Sequence, residues 1–290
     1  MRFYEIVFSP TGGTKKVADV LAAELSREIS RIDLSNGNED FNKYSLTSDD
    51  TAIVAVPSYS GRVPATAAER IAKIHGNGAK AIIVGVYGNR AYEDTLVELH
   101  DIAKQAGFAV VAAVAAVAEH SIAHRYATNR PDNDDCGRLR AFAGEIADKL
   151  RRNDLTTPQI PGNRPYRKAA GTAGFVPKAT RACSHCDLCA SRCPVGAIDM
   201  SNPAKVNKKL CISCMRCVAV CPHHARKVNG LLLALVNMML KKPCTERKEC
   251  ELYLFPPQER RCRGAAAHDF TPTHRKRKAP DVSPRRCVMG

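Results

Sequence analysis

Apolar and polar positions along residues 1–150 switch repeatedly between two periods. Short runs of continuous β-type residues, Phe3 to Phe8, Thr51 to Val56, Lys80 to Val86 and Phe108 to Val117, predict buried strands. Glu28 to Leu34 is a second, weaker strand. Between them lie helical stretches. Val17, Val20, Leu21 and Leu25 share one face of a helix over Gly13 to Arg27, and Pro64 opens a helix reaching His75. Tyr92 to Ala106 and Asp135 to Leu150 complete the set. Strands that are apolar throughout and alternate with helices predict a parallel sheet covered on both faces.

The pattern changes after residue 150. Residues 151–180 carry Pro158, Pro161, Gly162, Pro165, Gly171, Gly174 and Pro177, a linker that Ile160, Tyr166 and Phe175 are expected to dock. Residues 181–227 are poor in apolar residues and rich in Cys. Residues 228–255 hold one apolar helical stretch, Val228 to Lys242, followed by Glu251 to Phe255. The apolar helix is too short to span a bilayer and is expected to pack on the cysteine-rich module or the sheet, the alternative being a membrane-surface segment. Residues 256–290 are Pro- and Arg-rich without apolar period and predict a disordered basic tail, dispensable for cofactor binding.

Charge and cysteine divide the chain at the same place. The net charge of +15 comes from 44 Lys and Arg against 29 Asp and Glu. Residues 1–150 hold 17 basic and 20 acidic side chains, whereas residues 151–240 hold 14 and 3. Of 13 cysteines, only Cys136 lies in the first 150 residues. No run of 18 apolar residues and no signal-peptide pattern is present, so a cytoplasmic chain with reduced thiols is expected.

Cys183, Cys186, Cys189 and Cys193 follow C-x-x-C-x-x-C-x-x-x-C-P, and Cys211, Cys214, Cys217 and Cys221 repeat it 28 residues later. Three thiolates two residues apart line a tight loop and can hold three irons of a cubane. The fourth, past a turn, serves the other cluster. One [4Fe–4S] cluster is thus assigned to Cys183, Cys186, Cys189 and Cys221, and a second to Cys211, Cys214, Cys217 and Cys193. A pair of zinc ribbons is the alternative, but zinc has no need of this doubled spacing. Cys244, Cys250, Cys262 and Cys287 match no metal spacing.

Residues 183–222 resemble the bacterial two-cluster ferredoxins. The second half departs from their pattern at Cys221-Pro222-His223-His224-Ala225, where His224 replaces the usual Gly. Two exposed loop histidines, or a tuning role for either, are the readings open at these positions.

Ser9, Thr11, Gly12, Gly13 and Thr14 lie between the first strand and its helix. Free N–H groups, hydroxyls and small residues there suit a phosphate, with an ordinary helix cap as the alternative. The spacing is neither that of a P-loop nor that of a dinucleotide fingerprint. Two further loops, with Ser58, Tyr59, Ser60 and Gly61 after the third strand and Tyr87, Gly88, Asn89 and Tyr92 after the fourth, would converge at the strands' carboxyl ends. The three loops together resemble flavodoxin, which implies bound FMN, a five-stranded doubly wound sheet, and Tyr59 and Tyr92 as candidates to cover the flavin. Packing in the core or on the surface is the alternative for both tyrosines. Gly88 and Asn89 would offer backbone groups to the ring. His120, in the loop after the fifth strand, is read either as a neighbour of the flavin or as a capping or surface residue.

Residues 1–255 as a whole resemble the fused flavodoxin–ferredoxin proteins of anaerobic bacteria. The resemblance implies an electron carrier rather than an enzyme with its own substrate, joining two [4Fe–4S] clusters, FMN and an external redox partner protein. The basic cysteine-rich half suits an acidic partner. A flavin-dependent reductase of a small molecule is the alternative. Nucleic acid is a weak third reading, because residues 151–240 hold few aromatics for stacking.

Overall fold

The computed structural model describes residues 2–168 and 175–256. Five strands lie parallel in the order β2-β1-β3-β4-β5, formed by Ser30–Asp33, Phe3–Val7, Thr51–Pro57, Lys80–Tyr87 and Ala109–Val117. This is the doubly wound arrangement whose switch point lies between β1 and β3. Ile6 lines up with Ile32 on one side and Val54 on the other, so the buried residues form continuous rows.

Helices α1 (Gly13–Leu25) and α4 (Asn133–Arg151) cover one face, where Val17, Leu21, Leu139 and Ile146 pack on Ile53 and Val84. Helices α2 (Ala65–Ile71) and α3 (Thr95–Gln105) cover the other, where Ile71, Leu96 and Leu99 meet Val54, Val56 and Ile83. The side chains of β1, β3, β4 and β5 are thus almost all buried, as the unbroken apolar runs require, whereas β2 at the edge buries only Ile32.

A sixth strand was not foreseen. Glu251–Tyr253 forms β8 and pairs antiparallel with β5, Val114 opposite Leu252. It covers an edge that would otherwise present unpaired backbone groups.

The linker is strapped along α3. Buried Asp94 accepts from the backbone N–H of Asn163 (2.8 Å) and of Arg167 (2.7 Å), and Asp101 from Arg164 (2.6 and 2.8 Å) and from the Tyr166 hydroxyl. Arg62 makes two 2.7 Å bonds to Glu98, with its guanidinium 5.0 Å from the centroid of the Tyr166 ring. Gly162 must be glycine: its φ is +135°, and a Cβ would stand 2.3 Å from Val97 Cγ1. Ile160 packs on the core, as expected.

The cysteine-rich segment repeats in structure as well as in sequence. It contains the short helices α5 (Leu188–Ser191) and α6 (Arg216–Ala219), 28 residues apart, and the strand pair β6 (Lys178–Ala179) with β7 (Arg226–Lys227). An equivalent antiparallel bridge joins Ile198 to Val206. His185 and Asp187 have positive φ, as do Ser213 and Met215 at matching positions. Gly196 (φ +61°) corresponds to His224 (φ +47°), so the histidine adopts the glycine-like conformation of its counterpart. Met1–Pro257 form one compact unit that includes this segment.

Helix α7 (Gly230–Lys241) follows, capped by the Asn229 side chain. None of its residues is buried, although packing on the module or sheet was expected. One face is half-buried and the other looks outward. Among the described residues no helix is long and apolar enough to cross a membrane. The tail assigned to residues 256–290 lies, apart from Pro256, outside the described residues, as do Gly171 and Gly174 of the linker.

The returning segment after α7 is fastened by a buried ion pair. Arg130 forms two bonds to Asp135 and donates 2.8 Å to the Lys248 carbonyl, both side chains being almost inaccessible. Removing one partner leaves the other charge buried and unpaired. Arg130→Met is expected to cost about 3–5 kcal/mol, read from urea unfolding; a change within error would show that this pair does not hold the segment.

Candidate cofactor sites

The four cysteines assigned to the first cluster, Cys183, Cys186, Cys189 and Cys221, line a single pocket with Leu188, Pro222 and Arg226. The lining contains a residue that spacing alone did not reveal. Arg226 is buried, its Nη2 lies 3.3 Å from Cys189 Sγ, and its Nε has no protein partner. A buried, incompletely satisfied guanidinium facing thiols fits an anionic cluster. In the other repeat its place is taken by Ile198, which packs with Cys189 and Ala190.

The second set also gathers. Burial pushes the Cys214 thiol up to about 11 and Cys217 to about 12, and neighbouring thiols add to both shifts, Cys193 and Cys211 for Cys214, Cys214 and Cys211 for Cys217. Cys211 is raised for the same reasons, with Cys193 again a neighbour. Loading iron therefore means releasing protons from thiols that burial keeps neutral. Each fourth cysteine accepts an N–H bond in the same way: Ala197 to Cys193 Sγ and Ala225 to Cys221 Sγ, both 3.3 Å. Cys189 from the first set and Cys193 and Cys217 from the second meet in one small apolar core. Among the described residues no three His, Cys, Asp or Glu side chains gather closely enough to share one metal ion.

His223 and His224 are exposed. Cys244 and Cys250 are buried, next to Gly88 and Asp135 respectively, with both thiols raised by burial.

The cysteine-rich segment rests on the carboxyl edge of the sheet. Arg70 donates to the carbonyls of Leu34 (2.5 Å) and Pro194, bridging β2's end to the residue after Cys193. Gly37 lies close to the Pro194 carbonyl, and Ile212 packs on the sheet's core. Tyr59 packs on the same core, and burial, with a further contribution from the Cys214 thiol, raises its hydroxyl well above the usual phenol range.

At the same edge, Gly12 has φ +93° with open space where a Cβ would go, and it begins α1. Thr11 is exposed and Thr14 buried. Ser9 is used locally: its Oγ accepts from the Lys15 N–H at 2.9 Å, and its own N–H donates to Ser35. It therefore caps the helix, the role weighed as the alternative. Gly13 presses on Ala118.

The loops after β3 and β4 are locked together. Ser58 Oγ is 2.7 Å from Thr95 Oγ1, and a Cβ on Gly61 (φ +80°) would strike Glu93. Ser60 is exposed with φ +55°. The two tyrosines proposed to cover a flavin have different surroundings. Tyr92 stacks edge-on against Tyr87 at 5.3 Å and hydrogen-bonds Tyr253 (2.8 Å) and Glu251 (2.7 Å) of the unforeseen β8. Its hydroxyl is thus committed to the C-terminal strand. Asn89 is buried with φ +66°, and its side chain holds the carbonyls of Cys244 and Glu246 and the Lys248 N–H. Only the backbone at Gly88 and Asn89 faces the role first given to it.

His120 folds over Gly88, whose missing Cβ would lie 2.7 Å from the ring. Its Nδ1 accepts from the N–H groups of Ile122 (3.2 Å) and Ala123 (3.1 Å). It shapes the loop as a neutral acceptor.

The sequence comparison agrees with the cysteine geometry. Residues 181–226 match the 4Fe-4S dicluster domain. The chain is 45% identical over 51 residues to the thiosulfate reductase electron transfer subunit PhsB of Salmonella typhi, a match spanning 16% of this chain and 27% of that one. Among solved structures it is similar to an archaeal flavodoxin (11% identity, 52% of this chain and 99% of the other, TM-score 0.39). Others are flavodoxins of Streptococcus pneumoniae (23%, 51% and 99%, 0.37) and of Fusobacterium nucleatum, the latter bound to flavin mononucleotide (18%, 51% and 99%, 0.37).

Burial and clustering of His120 with His124 lower its pKa to about 4. The unfolded value is near 6.5, so between those values the unfolded chain binds the extra proton and stability falls as pH falls. About 2 kcal/mol should be lost through this residue between pH 7 and pH 5, and absent in His120→Gln. Urea unfolding of both proteins at the two pH values measures the difference; equal pH slopes would contradict it.

Strand order on one side and the matched cysteine segment on the other give one conclusion: a doubly wound α/β sheet of flavodoxin-like strand order is continued into a segment that matches the 4Fe-4S dicluster domain.

Proposed function

We propose that the protein carries electrons between an external redox partner, two [4Fe–4S] clusters and an FMN held at the carboxyl edge of the sheet. The observation that carries this reading is the contact chain from one cysteine set to the other and on to the sheet. Cys189, Cys193 and Cys217 pack together, and Ile212, two residues before Cys214, packs on the same sheet core as Tyr59 of the loop after β3. The cluster assignment follows the same geometry: Cys183, Cys186, Cys189 and Cys221 around one pocket, and Cys211, Cys214 and Cys217 with Cys193.

When bound, a [4Fe–4S] cluster passes single electrons and a flavin exchanges one or two, so the fusion can convert between the two modes. This chain's residues supply position and field. Gly12, Gly13 and Thr14 at the start of α1 offer backbone N–H groups for a phosphate, with Thr11 beside them. Tyr59, in the loop after β3, and Tyr92, edge-on to Tyr87, are the rings proposed to cover the flavin, Tyr59 from the side of the core that Ile212 also meets. Arg226 places a fixed positive charge against Cys189 of the first set, and its field also reaches Cys211 and Cys217 of the second. An acidic partner suits the basic segment, whose Lys205, Lys208 and Lys209 are exposed.

Anaerobic purification followed by iron, sulfide and flavin analysis tests the assignment. The expected content is eight irons by two cubanes, eight sulfides and one FMN per chain. Iron without flavin would demote the sheet to a scaffold; neither would overturn the reading.

The Arg226 contact yields a second test. A buried positive charge favours the more negative, reduced cluster. Arg226→Met should lower the cluster potentials, the one at Cys189 the most, by roughly 50–150 mV, followed by EPR during redox titration, with iron content unchanged. Two unshifted potentials would remove Arg226 from this role.

A further inference from the structure

We infer that the outward face of helix α7 is a docking surface for an anionic lipid bilayer. A helix on a protein surface ordinarily turns its apolar stripe inward and its polar residues outward. Helix α7 does not. Leu231, Ala234, Leu235, Met238 and Met239 recur at helical spacing, and all are exposed. Leu231 is 85% exposed, Met239 68%, Met238 67% and Leu235 47%. The opposite face, with Leu232, Leu233, Val236 and Asn237, is half-buried, and the Tyr126 hydroxyl donates to the Asn237 carbonyl. The exposed stripe is therefore an outer face of a helix that is already seated.

Contiguous exposed apolar surface marks an interaction site. Its length and charge select the occupant. Twelve residues make a helix of roughly 18 Å, too short to cross a bilayer but suited to lie in its interface. Exposed Lys227 precedes the stripe, and exposed Lys241 and Lys242 follow it. No Asp or Glu occurs anywhere in residues 200–245, while exposed Lys205, Lys208 and Lys209 add to the positive field. Lysines at both ends of an apolar stripe place their amines among anionic headgroups while their stems stay apolar. An apolar stripe and a basic field together supply the two signals that stable surface attachment needs.

The same features disfavour the other occupants. The stripe has no Trp, Tyr or Arg, the residues that anchor protein interfaces. A second copy of the chain would bring lysines against lysines in either orientation. Docking here would place the cysteine-rich segment next to the membrane surface, because β7 ends three residues before α7 begins.

The test uses the full chain with its cofactors, sedimented with vesicles of phosphatidylcholine alone and of phosphatidylcholine mixed equally with phosphatidylglycerol. Co-sedimentation with the anionic vesicles, weakened by salt, is expected. The double variant Leu235→Glu, Met238→Glu changes only outward positions, so its absorbance and melting should match the wild type. Its binding should fall by about tenfold or more. Lys241→Gln with Lys242→Gln should weaken binding and flatten its salt dependence. Failure of the wild type to sediment would overturn the proposal. So would undiminished binding of the Glu variant, which would assign attachment to other basic residues, or a wild-type dimer that the Glu variant dissolves.

Discussion

The cysteine-rich segment is held at both ends as well as at Pro194 by Arg70, and the directional anchors at its ends fix where it begins and returns. Its small paired strands and four-residue helices bury little apolar surface. Before it, Asp94, Asp101 and Arg62 fix the linker to α3. After it, Asn89, Arg130 and Lys149 hold the returning chain, the last by donating to the carbonyls of Thr156 and Leu254. These anchors are charged or amide side chains satisfied by backbone groups. Their geometry is directional, so they fix register where an apolar contact would allow sliding.

The two repeats match in backbone but differ in charge. An arginine faces one cysteine set and an isoleucine stands at the corresponding place for the other. Duplication builds two similar cysteine turns, and this one position differs between them. On the proposed reading the difference would set the two potentials apart, because a cluster's potential follows the local field as much as its ligands. The basic surface around the segment acts more evenly and is screened by salt, whereas the buried Arg226 is not.

Much of this architecture was legible beforehand, for identifiable reasons. Strands such as Lys80 to Val86 are apolar at every position, and only burial on both faces explains that. The cysteine ladder is readable because iron ligation ties residue type to spacing. What escaped was non-periodic. β8 has three residues, too few for a period, and its pairing depends on β5 far earlier in the chain. Tyr92 was read as a flavin neighbour because its loop looked right, but β8 brings Tyr253 and Glu251 to its hydroxyl. Asn89 is consumed in the same way. Ser9 turned into a cap, a role that a hydroxyl near a helix start always competes for. Arg226 lay unnoticed among many basic residues, since burial cannot be read from composition. The length of α7 was clear, but the direction its apolar face takes depends on what the sheet leaves uncovered.

The antiparallel pairing of β8 with β5 also sets an order of events during synthesis. The first five strands can associate once about 120 residues have left the ribosome, but the outer edge of β5 then has no partner. Its closing strand ends at Tyr253, beyond all eight cysteines of the duplicated motif. A long all-apolar edge such as Ala109–Val117 invites pairing with another chain while it waits. Whatever is inserted among those cysteines has its opportunity during that interval, because the strand that seals the sheet is also the one that ties the segment down. The same few residues thus time the maturation of the protein and guard it from aggregation.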